Sequence, residues 1–140
     1  MRKSPGEADL RDFIEVMRDA DEVIDVAEPV TEEYQAPKMA AATDKLLYFH
    51  DLHGERVVMN VTATRRSLSL ALSIPGNEIV QKLSRASYAG EVIDDGTLSF
   101  SEVDLRRIPV MHHFPRDAGS YITSGIVLSL IHISEPTRPY

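Results

Sequence analysis

The sequence predicts a mixed α/β (α+β) fold. Some segments repeat apolar residues at helical spacing, whereas others are short, β-branched runs of strand character. The two kinds of segment intermix along the chain, and Gly, Pro and Asx signals punctuate them, with no internal repeat and no low-complexity linker.

The elements follow in order. Over residues 9–20, Leu10, Phe13, Ile14 and Met17 share one face of an amphipathic helix, with Asp9 as N-cap and Asp12 in the first turn. Residues 22–26 read as a strand that ends at Pro29. Thr31-Glu32-Glu33 resembles a helix start, but Pro37 fits better as the first residue of a helix through Met39 to Ala42. Residues 45–50 and 56–61 read as two strands across a turn over residues 51–55 containing Gly54, which predicts a hairpin. A helix over residues 64–72 is broken by Pro75-Gly76; Asn77 is expected to cap the next, over residues 78–87, with Ile79, Val80, Leu83 and Ala86 on one face. Past Gly90 short strands are expected at 91–93 and 97–100. A turn running into an extended segment is expected at 105–110, and a buried strand at 121–127.

Composition narrows the function classes. Apolar residues make up 43% and charged residues 26%, the balance of a globular domain. The net charge of −7 repels a phosphate backbone, and the one basic cluster, Arg65-Arg66 with Lys82 and Arg85, is small, so no nucleic-acid partner is expected. No apolar run approaches the ~20 residues needed to span a bilayer, so no membrane partner is expected. The opening Met-Arg-Lys-Ser-Pro-Gly-Glu turns polar at once, unlike a signal peptide. The absence of cysteine removes disulfides, thiolate metal sites and cysteine nucleophiles, and fits a cytoplasmic protein.

Candidate chemistry is sparse. His112-His113 is the obvious cluster, but adjacent residues of an extended chain point to opposite sides, which favours a structural or surface role over a shared metal. His50 and His53 flank a turn and read as exposed; Asp94-Asp95-Gly96 and Asp117-Ala118-Gly119 read as turns. Neither a Gly-x-Ser-x-Gly elbow nor a Gly-x-Gly-x-x-Gly loop is present.

Taken in order, several segments resemble the UbiD family of prenylated-flavin-dependent decarboxylases. They are Asp9-Leu10-Arg11-Asp12-Phe13-Ile14; Val26-Ala27-Glu28-Pro29-Val30; Thr64-Arg65-Arg66 with Leu68 and Leu70-Ala71-Leu72; and, most specifically, Asp117-Ala118-Gly119-Ser120-Tyr121-Ile122-Thr123-Ser124-Gly125 within residues 108–127. The resemblance covers nearly all of residues 9–127, about the first quarter of a typical member. It implies prenylated FMN, a divalent metal (Mn or Mg) and potassium as cofactors of the full-length enzyme. The implied reaction is reversible removal of CO₂ from an aromatic or α,β-unsaturated carboxylic acid, with the flavin carrying the hard step. It also implies a small-molecule acid as substrate and a homo-oligomer when full length. The family's Asn-x-x-x-x-Arg stretch, its metal-binding His and Glu, and its Glu-x-x-x-x-Glu proton donor have no counterpart here, so no catalytic or metal residue is assigned and the fragment itself is expected to be inactive and to bind no cofactor. Thr123 is the one residue carried over as cofactor-binding, on the strand that lines the family's flavin pocket; a β-propensity residue in a buried strand accounts for it equally.

The expected organisation is an N-terminal α/β domain over residues 1–100, the truncated start of a split β-barrel flavin-binding domain over 101–127, and a tail over 128–140. Residues 128–138, Leu-Ser-Leu-Ile-His-Ile-Ser-Glu-Pro-Thr-Arg, resemble the in-frame translation of a transposase sequencing adapter, so His132 is given no role. Barrel strands lacking their partners would leave an exposed edge. Two rival readings are a non-catalytic acidic α/β interaction module and a plain flavin-binding oxidoreductase; downstream sequence would separate all three.

Overall fold

The computed structural model describes residues 9–87, 102 and 104–122. The expected strands at 91–93 and 97–100, the expected domain boundary at residues 100–101, Thr123 and the 128–140 tail lie outside the described residues.

Helix α1 spans Leu10–Asp19, and the expected Asp9 cap is present as a reciprocal capping box: Arg11 and Asp12 N–H donate to Asp9, and Asp9 N–H donates back to the Asp12 carboxylate. Strand β1 follows at Val23–Val26. Helix α2 occupies Gln35–Ala41, so it begins neither at Thr31 nor at Pro37. Val30 bridges Leu52 and Glu33 bridges His112, so both residues are tied to distant segments before the helix begins. The turn into the helix falls on Tyr34, left-handed at φ 62°. Pro37 then sits inside the first turn, where a missing N–H has no helical partner to lose.

Strand β2 runs Leu46–Leu52 and β3 runs Glu55–Met59, confirming the hairpin. Its connection is shorter than the sequence suggests, only His53-Gly54, both at positive φ (57° and 82°) as a tight primed turn requires. Leu52 belongs to the strand because it is fully buried and pairs with Glu55, and an extra residue between Phe49 and Leu52 bulges β2. Helix α3, Arg65–Leu72, is capped by Thr64 in a box with the hydroxyl of Ser67, a buried side chain.

Helix α4 is shorter than expected, Ile79–Ser84, and Glu78 rather than Asn77 is its N-cap. Glu78 N–H donates to Pro75 O (2.9 Å), so a turn precedes the helix, and the first helical bond goes to Glu78 O from Lys82 N–H (2.9 Å). Of its predicted apolar face only Ile79 is buried; Val80 and Leu83 stay 65% and 55% exposed. A short 3₁₀ turn at Leu105–Arg107 leads into the extended segment expected there.

The sheet has the order β1-β2-β3, with β1 parallel to β2 and β2 antiparallel to β3. The β1–α2–β2 connection is the crossover a parallel pair needs. Central β2 is buried on both faces, so its run Leu46-Leu47-Tyr48-Phe49 is continuously apolar rather than alternating. Leu46 packs with Ile14 and Met17 of α1, beside Tyr48, Val58 and Leu70. On the opposite face Leu47 and Phe49 pack with Val26, Val30, Ala36 and Leu52, beside Met39, Val57 and Met111. The result is three layers, with α1 and α3 on one side of the sheet and α2 with the 109–112 segment on the other.

Candidate functional site

The segment after the 3₁₀ turn is pinned to the sheet. Met111 reaches the core beside Phe49, His112 N–H donates to Glu32 O (3.2 Å), and Tyr34 N–H donates to His112 O (3.0 Å). Alternation along the extended chain then separates the two histidines as expected. The His112 ring lies 4.7 Å from the Tyr34 ring, with its Nε2 buried and without a partner. The His113 ring faces the other way, 5.6 Å from Tyr121.

The Asp-Ala-Gly-Ser-Tyr motif has a physical reason here. The Asp117 carboxylate accepts from Phe114 N–H (3.0 Å) and, more weakly, from the Tyr121 hydroxyl (3.4 Å), while Asp117 N–H donates to Phe114 O (3.0 Å). Asp117 therefore closes the 114–117 turn and carries Tyr121 back towards Met111, whose carbonyl accepts from Tyr121 N–H (3.4 Å). Tyr121 and Ile122, expected as the start of a buried strand, are 46% and 64% exposed and form no strand. Among the described residues no strand pairs with them; Tyr121 N–H bonds to Met111 O and its ring lies beside His113, which leaves it about half covered.

These residues form one wall of a cleft of about 590 Å³ whose other wall is residues 57–63 of β3 and its extension. Asn60 supports that wall. It adopts a left-handed φ of 59°, and its Nδ2 donates to Ala40 O and Thr43 O, both at 2.8 Å, locking the end of β3 to the end of α2. The lining includes Val57, Met59, Val61, Met111, His113 and Tyr121 and contains no Lys or Arg. Such a surface fits the apolar face of an aromatic ring system and offers a phosphate no Lys or Arg side chain. No group of three metal-ligating side chains occurs among the described residues. The described part of the chain therefore does not by itself fit a flavin nucleotide or a metal, and Thr123 lies beyond it.

A second polar cluster lies on the α1 side of the sheet. Arg18 forms a forked ion pair with Asp25, His50 Nε2 lies 2.8 Å from Asp25 Oδ1, and the Arg18 guanidinium sits 5.4 Å from the Tyr48 ring centre. The hydrogen bonds from Arg18, and then from His50, hold the Asp25 carboxyl down at about 2. His50 and His53 are both exposed, as expected. Arg65 and Arg66 sit on the first turn of α3, where Arg65 Nη1 donates to Gly76 O (3.2 Å) and Arg66 Nε pairs with Glu22 (2.6 Å). The wall at residues 57–63 went unnoticed in the sequence because it lies about fifty positions from the Asp-Ala-Gly-Ser-Tyr motif; the only local hint is the apolar character continuing past Met59.

A three-layer α/β domain carrying a second, pinned segment is the class these features define. The family model described as 3-octaprenyl-4-hydroxybenzoate carboxy-lyase N-terminal domain matches residues 14–87, and that described as the Rift-related domain of the same carboxy-lyase matches residues 88–132. The chain belongs to the UbiD carboxy-lyase family. It is 37% identical over 124 residues to an anhydromevalonate phosphate decarboxylase of Methanosarcina mazei, an alignment covering 85% of this chain and 29% of that protein. It is 31% identical over 84 residues to the protein of the same description from Archaeoglobus fulgidus, covering 56% of this chain and 20% of the relative. For the Methanothermobacter thermautotrophicus protein the figures are 30% over 78 residues, 52% and 18%. The chain thus spans less than a third of the length of the curated relatives it matches. No helix among the described residues is long and apolar enough to cross a membrane.

Proposed function

We propose that this chain is the N-terminal part of a UbiD-type decarboxylase that uses prenylated FMN, with a divalent metal and potassium, to remove or add CO₂ on a small unsaturated carboxylic acid. The single observation that supports this most is the 37% identity to a decarboxylase over 124 residues, an alignment too long for the N-terminal domain match alone to account for. The names of the relatives favour a phosphorylated acid of the anhydromevalonate phosphate type as substrate. In this reading residues 14–87 form a folded platform, residues from about 101 to 127 open the flavin-binding barrel, and Thr123 brings its hydroxyl towards the cofactor. The flavin, when bound, supplies the electron sink for loss of CO₂. The described residues supply packing, an apolar wall and the anchored Asp117 turn that aims the chain towards Thr123.

The 140-residue chain alone releases no CO₂ in this reading. The test supplies prenylated FMN, Mn²⁺ and K⁺ to two proteins, this chain and a form extended by the remainder of a relative, and measures CO₂ from anhydromevalonate phosphate. The extended form is expected to be active and the short one silent. Turnover by the short chain, or a well-folded extended form that releases nothing from any unsaturated or aromatic acid, overturns the proposal.

A further inference from the structure

Strand β3 is the last strand of the sheet among the described residues, and its outer edge has no backbone partner there. Seven consecutive residues, Val57 to Ala63, line the 590 Å³ cleft. Side chains of a strand alternate between faces, so consecutive residues share one cleft only where the chain turns its backbone edge towards it. A second cleft of about 530 Å³ continues past Glu55 and Arg56 and shares Val57 and Pro109 with the first. The open strand edge therefore runs from Glu55 to Met59, and the turn at residues 60–63 closes that end of the cleft.

Native proteins blunt exposed edges with proline, inward-facing charge or a bulge in the edge strand. Over Val57–Met59 strand β3 carries none of these: the bulge is on β2, and the charged residues, Glu55 and Arg56, blunt only its first end. An edge left in this state is a template for another strand. We infer that the outer edge of β3 receives an extended, apolar segment from the part of the longer polypeptide that follows the matched region, adding a fourth strand to the sheet.

This inference rests on the reading of the chain as the N-terminal part of a longer decarboxylase. Two observations choose the occupant. The Rift-related match already supplies one segment seated on this sheet, with Met111 in the core and His112 bridged to Glu33, and the cleft continues that interface. More than two thirds of the Methanosarcina relative also lies outside the alignment. A second copy of this chain is the poorer occupant, because each copy carries a net charge of −7.

The test compares amide hydrogen exchange in the 140-residue chain with that in a single polypeptide joining residues 1–127 to the part of the Methanosarcina mazei decarboxylase that follows its matched region. Amides of β3 that point away from β2 are expected to slow by about ten-fold or more in the joined protein, as paired edge amides do. CO₂ release by the same protein reports separately on the functional reading. An active joined protein whose outward β3 amides exchange as fast as in the short chain overturns the inference and leaves the decarboxylase reading intact. An inactive joined protein with protected β3 amides supports the inference and counts against that reading. If the short chain shows protection that rises with its concentration, and dimerises by sedimentation, the edge belongs to a second copy and the inference fails. Should the joined protein not fold, exchange in the intact Methanosarcina enzyme over the strand aligned with Glu55–Met59 decides, and fast outward amides there overturn the inference.

Discussion

Replacing Phe49 with alanine probes the layer that holds the candidate site. Phe49 is 0% exposed and sits among Val26, Val30, Ala36, Leu47 and Leu52, with Met111 of the pinned segment packed against the same cluster. Deleting a buried phenyl ring removes its transfer free energy and leaves a cavity, together about 3–5 kcal/mol. A folded unit the size of residues 9–87 has roughly 4–12 kcal/mol in total at ~0.05–0.15 kcal/mol per residue. Phe49→Ala should therefore remove about a quarter or more of the stability, and since ~1 kcal/mol moves the Tm of a domain this size by ~4–8 °C, the midpoint should fall by more than about 12 °C. Val57→Ala, at a half-buried position on the same face, should cost only about 1 kcal/mol. Urea unfolding followed by far-ultraviolet circular dichroism measures both, the chain having no tryptophan to serve as a probe. A Phe49→Ala loss below about 1 kcal/mol would refute the placement of Phe49 at the centre of the sheet's α2-side core.

Three further outcomes are expected. Asp25 has its carboxyl depressed to about 2 from an ordinary 3.8, so its contribution is present above pH 3.8 and fades as pH falls through 2; its side chain is 39% exposed, so solvent screening limits the contribution to about 1 kcal/mol or less. Asp25→Asn should thus cost up to that amount at pH 7 and clearly less at pH 2, where the folded-state carboxyl is half protonated, and equal losses at both, by thermal melts, would disprove it. Asn60→Ala strands the carbonyls of Ala40 and Thr43 and forces alanine to a left-handed φ, so chemical denaturation should show a loss of about 2–3 kcal/mol; Asn60→Gly, which relieves only the backbone, should lose less, and a reversed order would refute the account. Asp117→Ala removes the acceptor for Phe114 N–H and the Tyr121 hydroxyl, so the Tyr121 ring should lose its close approach to His113 in NMR spectra while the melt shifts by no more than about 1 kcal/mol; an unmoved Tyr121 would show that the turn holds without its carboxylate.

Local chemistry was legible in the sequence wherever the deciding interaction spans few residues. The Asp9 cap, the 10–19 and 65–72 helices, the hairpin and the opposed histidines all follow from contacts within about four positions, which side-chain type and spacing already encode. The family, too, was readable from the residues around Asp117 to Thr123. What failed locally failed where a distant partner decided. Thr31 does not start a helix because its neighbours Val30 and Glu33 are bridged to Leu52 and His112. Leu52 is strand rather than turn because the core buries it. Asn77 is the exception, losing the cap to Glu78 for a local reason, because a turn through Pro75 satisfies the backbone first.

The cleft lay entirely beyond the sequence. Periodicity reports which face of an element is apolar, not which edge of a sheet is left open, nor which segment some fifty residues away comes to lie against it. By itself the sequence determined the type of most helices and strands among the described residues, the acidic character and the family. Only the tertiary structure decided that β2 is the central strand, that Met111 fastens the second matched segment to the first, and that the edge of β3 faces a cleft. The physical reason is that strand order and edge exposure arise from long-range pairing, whose free energy belongs to no single stretch of chain.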